Sequence, residues 1–232
     1  MKFNIEKKTD VNISDRVQEV MSDFDINADH STETFEGNIE IEGKDWHIGL
    51  IVGGSGTGKS TIAKELFNDY YVKGYEYDNN SVLDNMPKNR TVNEIEKAFT
   101  SVGFSSPPSW LKPYSVLSTG EQMRCDLARA LLSDKEIIVF DEFTSVVDRD
   151  VAKTCSFAIQ KEVRRSGNKF IAVTCHADVI EHLCPDWIYD TDQKRFFGQW
   201  GNMSPQEKQS TYTKLADLIS NKYGQYLGSI TI

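Results

Sequence analysis

The order of apolar and polar residues changes in character at about residue 53. Before it, two short runs of alternating apolar and polar residues, 35–41 and 46–52, flank Glu42-Gly43-Lys44-Asp45 and predict a β-hairpin. Four apolar residues further upstream have the spacing of one helical face: Val17, Val20, Met21 and Phe24. A short helix is therefore expected ahead of the hairpin.

After residue 53, strand-like and helix-like stretches alternate, which is typical of a mostly parallel α/β sheet. The expected strands are the run that ends at Val52 and residues 75–83, 136–141 and 169–175. The expected helices begin at about Gly58 and cover 91–100, 118–132, 148–165 and a last segment from Ser204. Thr91 with Glu94, and Ser118 with Glu121, have the spacing of a capping box, which sets two of the helix starts.

Composition narrows the classes of function. The chain has 232 residues, a net charge of −9 and an apolar share of 39%, as expected for one large globular domain or a domain with a subdomain. The acidic excess argues against loose, charge-driven binding to nucleic acid or anionic lipid. No apolar run approaches the ~20 residues of a membrane span, and no secretory signal is visible at the start. A cytoplasmic location without membrane insertion is expected.

Cysteine usage gives little sign of a metal centre. The four cysteines form no CxxC pair, and without an export signal reduced thiols are expected. Cys175, His176, His182 and Cys184 are close in sequence, but their spacing fits no usual zinc pattern. Small buried thiols are the better interpretation.

A glycine-rich segment stands between the apolar strand and the helix that follows it. It reads Gly53-Gly54-Ser55-Gly56-Thr57-Gly58-Lys59-Ser60, which is the GxxxxGK[ST] pattern of a P-loop. Glycines allow successive backbone N–H groups to point at phosphate oxygens, and the helix N-terminus adds its positive end. Lys59 would reach the β- and γ-phosphates, the Ser60 hydroxyl would ligate Mg²⁺, and Thr61 completes the phosphate-binding segment. The segment therefore predicts a nucleotide site.

A P-loop needs a second oxygen ligand for the metal, and an acidic pair further along the chain supplies it. Four apolar residues, Ile137-Ile138-Val139-Phe140, run directly into Asp141 and Glu142. Asp141 would hold Mg²⁺, directly or through water, and Glu142 would polarise the attacking water.

With these residues in place, the sequence resembles the ATP-binding cassette (ABC) ATPases. The family's LSGGQ signature has its counterpart in Leu117-Ser118-Thr119-Gly120-Glu121-Gln122-Met123-Arg124, and its D-loop is similar to residues 143–148. His176, after the strand 170–175, matches the switch histidine. The resemblance covers roughly residues 15–200. It implies an α/β P-loop NTPase core with a mostly parallel sheet, an N-terminal antiparallel β-subdomain and a shortened helical subdomain.

The resemblance also implies catalytic and dimer contacts. Glu142 would act as the base, and His176 would sense the γ-phosphate beside Lys59. Ser118 and Gly120 would contact the γ-phosphate of ATP held by a second, head-to-tail copy of the chain. Asp148 would shape that dimer contact, and it also has the position of an N-cap for its own helix.

An aromatic residue in the N-terminal region of family members stacks on adenine. Phe24 lies 15 residues before Ile39, which is about the offset that the resemblance implies, and Phe35 is the second candidate. Because Phe24 also belongs to the apolar face of the first expected helix, plain core packing explains it equally well.

Three departures from the family pattern indicate what kind of ABC protein this is. Lys59 and Ser118 are separated by 59 positions, whereas transporter cassettes have a longer membrane-docking subdomain there. No glutamine occurs between residues 19 and 121, so Asp84 is the best candidate for the missing Q-loop residue near the metal; an ordinary loop acid is the alternative. Thr119 and Phe143 stand where the family usually has Gly and Pro.

Residues 102–110 and 143–150 look similar to a small group of stand-alone bacterial and phage ABC-type ATPases, some linked to acetyltransferase-like domains. We therefore expect a single ABC-type domain over residues 1–232, with a β-subdomain at about 1–52, a reduced helical subdomain at about 84–130 and a C-terminal helix at about 204–224. It would bind Mg²⁺ and ATP as an ATP-dependent homodimer and hydrolyse ATP. An ATP-gated assembly switch and the ATPase subunit of a transporter are the alternatives, and a protein or nucleic-acid partner stays open.

Overall fold

The secondary structure is that of an α/β protein, and a computed structural model describes it for residues 1–10, 12–25, 30–198 and 204–227. The strands are β1 (Lys2–Asp10), β2 (His30–Asn38), β3 (Ile48–Val52), β4 (Ile137–Phe140), β5 (Lys169–Thr174), β6 (Trp187–Asp190) and β7 (Arg195–Gly198). The helices are α1 (Asp15–Asp23), α2 (Lys59–Phe67), α3 (Val92–Ser101), α4 (Pro107–Trp110), α5 (Thr119–Leu131), α6 (Arg149–Ser166), α7 (Ile180–Leu183) and α8 (Pro205–Leu227).

A mostly parallel sheet forms the centre of the fold, as expected. Its strands lie in the order β4-β5-β3-β6-β7, and β3 pairs in parallel with both β5 and β6. Strand β4 pairs in parallel with β5, and β7 returns antiparallel to β6 at the edge. Because parallel strands share the direction in which they end, the carboxyl ends of β4, β5 and β3 meet at one edge of the sheet.

Apolar side chains cover the main sheet on both faces. Along β3, Leu50 and Val52 pack into one buried cluster with the helices α3, α5 and α6, whereas Ile51 packs into a second cluster with α2. All five residues of β3 are buried. This explains the unbroken apolar run of β3, because a parallel strand with helices on both sides has no solvent-facing side chains.

The antiparallel N-terminal sheet is present, but the pairing predicted for it is wrong. Strand β2 pairs with β1, from Lys2 opposite Asn38 to Asp10 opposite His30, and not with the run 46–52. That run contains β3, which lies at the centre of the parallel sheet. The five residues of β3 carry no polar side chain, so both faces of the strand must pack against other elements. A two-stranded hairpin does not provide such packing.

The predicted strand at 75–83 is also wrong, because this segment is a loop. Its polar residues bond to each other locally: the Asn80 N–H donates to Asp78 Oδ1 at 2.9 Å, and Asn85 Nδ2 donates to the same oxygen at 2.7 Å. Asp and Asn side chains that satisfy nearby backbone groups compete with strand pairing. The segment's one isolated bridge among the described residues is antiparallel, between Ser81 and Pro113, and a parallel bridge joins Tyr71 to Val139 just before the segment.

The structure confirms the predicted N-caps of three helices, α3, α5 and α6. Thr91 and Glu94 form a complete capping box for α3, and Ser118 and Glu121 form one for α5. Asp148 caps the start of α6, and Gly167, at φ +77°, ends it. Capping groups satisfy the unpaired backbone N–H donors at a helix start, so local sequence fixes these boundaries.

Candidate nucleotide site

The P-loop connects β3 to α2, as its sequence predicts. Gly56 and Gly58 take φ values of +80° and +85°, which only glycine adopts at low cost. Lys59 begins α2 and is only 8% exposed, and its Nζ donates to the Gly54 carbonyl at 2.6 Å. The loop therefore holds a buried ammonium group beside the backbone N–H groups of a helix start, which is a cradle for phosphate.

Thr191 and Asp192 directly follow β6 and form hydrogen bonds with the P-loop. The Gly54 N–H donates to Asp192 Oδ2 at 2.8 Å, and the Thr57 and Thr191 hydroxyls are 2.6 Å apart. A Cβ placed on Gly53 would lie 1.9 Å from Thr191 Oγ1, so this glycine permits the close approach. Sequence reasoning missed both supporting residues, because their role depends on β6 lying next to β3.

The acidic pair lies at the end of β4. The Glu142 N–H donates to Asp141 Oδ1 at 2.9 Å, and the Tyr71 hydroxyl donates to Asp141 Oδ2. Burial, with the hydrogen bond to Asp141, raises the pKa of Tyr71 well above its usual value, so the phenol stays a proton donor. The Glu142 side chain is exposed at the sheet edge, and its φ is +52°. Tyr71 is a second residue that sequence reasoning missed.

His176 follows β5 at the same edge and is half-buried. Burial lowers its pKa below the usual value, and the positive charges of Arg149 and Lys59 act in the same direction. The negative charges of Asp178 and Glu142 oppose this. The imidazole is therefore neutral at pH 7 and lies within electrostatic reach of both Lys59 and Glu142.

The signature segment forms the start of α5. Ser118 Oγ accepts the Glu121 N–H at 3.4 Å and donates to the Glu121 carboxylate at 2.8 Å, and the Ser109 hydroxyl also donates to that carboxylate. A Cβ on Gly120 would lie 3.2 Å from Val147, so the signature helix packs closely against residues 143–148. The Asp148 side chain accepts the Val151 N–H at 2.9 Å, which confirms its N-cap position.

The two aromatic candidates for adenine lie in different surroundings. Phe35 packs directly on the P-loop, since a Cβ on Gly58 would be 2.3 Å from its Cδ1. Phe24 follows α1 and is 72% exposed, and none of the described residues of α1 is buried. Core packing is therefore the wrong explanation of Phe24, and its predicted contact with adenine stays a prediction.

The oxygen donors at the site fit Mg²⁺. Hard cations prefer carboxylate and hydroxyl oxygens, and Mg²⁺ takes few protein ligands because phosphate and water oxygens complete its shell. Asp141 and Ser60 offer such oxygens, at the end of β4 and in the first turn of α2. Asp84 instead accepts the Ser81 hydroxyl at 2.6 Å within a local turn, so its role at the metal stays a prediction.

The four cysteine and histidine residues between Cys175 and Cys184 are an alternative candidate for a metal site. Among the described residues, no group of three or more His, Cys, Asp or Glu side chains is arranged to hold a metal ion. Cys175 and Cys184 are free thiols, and burial raises the pKa of the Cys184 thiol.

Comparison with known sequences finds ABC proteins. Residues 71–145 match the ABC transporter family. The methionine import ATP-binding protein MetN of Escherichia coli K12 is 28% identical over 102 residues, which are 44% of this chain and 29% of that protein. A protein of the same name from Shigella flexneri matches to the same extent. The chain thus spans less than a third of the length of these curated relatives.

Solved structures of ABC cassettes share the fold. The dimeric MJ0796 ABC transporter cassette superposes with a TM-score of 0.56 and 17% identity, covering 71% of this chain and 88% of that one. A bacterial Atm1-family ABC exporter with ATP bound gives a TM-score of 0.54 and 20% identity over 73% of this chain and 36% of the exporter chain. The predicted family resemblance and fold class are confirmed. Similarity to stand-alone and acetyltransferase-linked ATPases stays a prediction.

The sequence has no apolar run of the length that a membrane span needs. Within the described ranges, no helix combines the length and the apolar character that crossing a bilayer requires.

Proposed function

We propose that this chain is an ABC-type ATPase that binds Mg·ATP at the P-loop edge of the sheet and hydrolyses it, which its match to the ABC transporter family at residues 71–145 supports. The observation that carries the proposal is that three neighbouring strands, β4, β5 and β3, end in the acidic pair, the histidine and the P-loop. A parallel sheet thus brings together residues from three distant parts of the chain, as such sheets do at ligand sites.

Each group has a role that its position supports. Lys59 and the N–H groups of the P-loop bind the phosphates, and Glu142 takes a proton from the attacking water. His176 would donate a ring N–H to the γ-phosphate from the end of β5. Held by Ser60 and Asp141, Mg²⁺ would neutralise charge that develops on the phosphate oxygens.

The signature residues require a partner copy for their role. Ser118 is exposed, and Gly120 is partly so, at the start of a helix whose N–H groups favour anions. We propose that they receive the γ-phosphate bound by a second copy, in a head-to-tail dimer that ATP stabilises. The dimeric state of the MJ0796 cassette supports this. We also propose a cytoplasmic location for this enzyme, because the ligand of its P-loop would be ATP.

We expect Phe35, rather than Phe24, to contribute to adenine binding, because its ring lies against Gly58 of the P-loop. Base–aromatic stacking is worth about 1–3 kcal/mol, so Phe35→Ala should raise the Kd for ATP by roughly 5- to 150-fold. Phe24→Ala, at an exposed position, is the control and should leave the Kd unchanged. Fluorescence titration with ATP and with inorganic tripolyphosphate separates the two parts of the ligand: the variant should bind tripolyphosphate normally. Weaker binding in Phe24→Ala alone would support Phe24 instead.

A second candidate function is the ATPase subunit of a membrane transporter. The family match and the import protein MetN favour it. Both functions share the same ATP chemistry and differ in the partner. Detergent extraction of cells that express the tagged Glu142→Gln protein, followed by affinity purification with ATP, distinguishes them: a stoichiometric membrane protein supports a transporter, and the chain alone as a dimer supports the stand-alone enzyme. Bound ATP that outlasts assembly in single-turnover experiments would support a switch.

A further inference from the structure

Arg149 links two loops of the site that are far apart in sequence. Its Nε and Nη2 donate to the two carboxylate oxygens of Asp178 at 2.8 and 2.5 Å, and its Nη1 donates to the Thr144 carbonyl at 3.3 Å. Asp178 stands two residues after His176, and Thr144 two residues after Glu142. One guanidinium group therefore joins the loop that follows the acidic pair to the loop that carries the histidine.

The loop after Glu142 has a backbone that needs outside support. Glu142 and Thr144 take φ values of +52° and +62°, which are costly for residues other than glycine and persist only where the surroundings hold them. Thr144 is completely buried, and the buried hydroxyls of Thr144 and Ser145 have no hydrogen-bond partner among the described residues. The side chains of Thr144 and Ser145 thus give this loop no hydrogen bonds to the rest of the described structure, and its backbone contacts must hold it in place.

Few described contacts supply that anchoring. The Phe143 N–H donates to the Val173 carbonyl at 2.9 Å, and the Ser145 N–H donates to the Glu142 carbonyl at 3.1 Å. The bond from Arg149 to the Thr144 carbonyl is the third. Of these, the Arg149 contact also reaches the histidine loop, through a two-pronged pair with Asp178 whose planar geometry fixes both direction and distance.

We propose that Arg149 and Asp178 are positioning residues for ATP hydrolysis, which hold the Glu142 loop and the His176 loop at a fixed separation so that the base and the γ-phosphate sensor reach the same phosphate together. The inference rests on the proposed function. It differs from a stability role, because both residues are 35–40% exposed and exposed ion pairs add little to folding. Misplacing catalytic groups by about 1 Å costs on the order of 10²-fold in rate.

The chain offers a matched control at the other end of the same helix. Arg164 of α6 pairs with Asp186 at 2.9 Å and donates to the Cys184 carbonyl, and it is 34% exposed, close to the 35% of Arg149. These contacts tie α6 to the segment before β6 and not to the site. Arg164→Gln therefore breaks an arginine–aspartate pair whose arginine has similar exposure and whose aspartate is 25% exposed, against 40% for Asp178. Any effect on the site would be indirect.

The experiment measures kcat and the Kd for ATP in four proteins: Arg149→Gln, Asp178→Asn, the double variant and Arg164→Gln. We expect each site variant to lose roughly 10- to 100-fold in kcat with the Kd for ATP within about threefold, because placement rather than binding is lost. The double variant should be no slower than the slower single variant, since both single variants break the same Arg149–Asp178 pair. Arg164→Gln should behave as the unmodified chain. Equal losses in Arg164→Gln, unchanged kcat in Arg149→Gln, or multiplicative losses in the double variant would overturn the proposal.

A measurement without nucleotide keeps this result separate from the proposed function. Amide hydrogen exchange at Phe143 and Ser145 should accelerate at least about tenfold in Arg149→Gln and not in Arg164→Gln. Unaltered exchange overturns the positioning role, whereas the absence of ATP turnover in the unmodified chain overturns the proposed function instead. If Arg149→Gln does not fold, Arg149→Lys serves the same purpose: lysine keeps the charge but cannot form the two-pronged pair, so kcat and exchange should change in the same directions.

Discussion

Glu142→Gln should lower the ATP turnover of this chain by about 10²- to 10⁴-fold, the range expected when a general base is removed. The substitution keeps the shape of a side chain that is exposed at the end of β4, so ATP binding should be retained. Phosphate release in steady state measures turnover, and size-exclusion chromatography with light scattering measures assembly. With ATP and Mg²⁺, the variant should elute as a dimer, because bound ATP is no longer consumed.

Glu136→Gln is the control for this experiment. Glu136 lies just before β4 at the opposite end of the strand, and its carboxylate is 73% exposed beside Lys169. The same chemical change at this position should leave turnover and assembly unaltered. Unchanged turnover in Glu142→Gln would exclude Glu142 as the base. Lost turnover with a monomer at saturating ATP would exclude the dimer but not the base.

Lys59→Met should weaken ATP binding by roughly 30- to 150-fold, which corresponds to about 2–3 kcal/mol for hydrogen bonds between a charged donor and phosphate. The ammonium group is largely buried, and its Nζ already faces the carbonyl of Gly54 inside the loop. Methionine fills a similar volume without the charge, so the fold should persist. Titration with a fluorescent ATP analogue measures the Kd, and circular dichroism checks the fold.

Lys161→Met on the exposed side of α6 removes one positive charge from the same protein away from the loop. It should bind ATP as the unmodified chain does. If both variants lose affinity equally, the overall charge rather than the P-loop contact controls binding. If Lys59→Met binds ATP normally, Lys59 does not contact the phosphates.

Local sequence was sufficient for elements whose ends are fixed by nearby side chains. The helices α3, α5 and α6 begin where Thr91, Ser118 and Asp148 cap them, because each cap bonds to N–H groups two or three residues ahead. The order of strand, P-loop and helix was predictable because the GxxxxGK[ST] pattern is itself local. The parallel pairing then brings Glu142 and His176 to the same edge without further information.

Contacts between distant segments were beyond the reach of the sequence pattern. The pairing of β2 with β1 instead of β3 depends on which strand can be covered on both faces, and alternation alone does not show this. Three hydrogen bonds of the site likewise join residues far apart in the chain. They run from the Tyr71 hydroxyl to Asp141, from the Gly54 N–H to Asp192, and from Arg149 to Asp178. Each residue is ordinary in its own segment, so only the tertiary structure shows its role.

The capping box of α5 places a carboxylate at the signature, where a phosphate bound by a second copy would lie in the proposed dimer. The Glu121 carboxylate accepts the N–H of Ser118 at 3.0 Å and its hydroxyl at 2.8 Å. These hydrogen bonds lower the pKa of Glu121, so the group stays charged at neutral pH. A negative charge thus already sits at the end of the helix that favours one. In the proposed dimer, the γ-phosphate bound by the second copy would therefore approach a helix start that already carries a carboxylate charge.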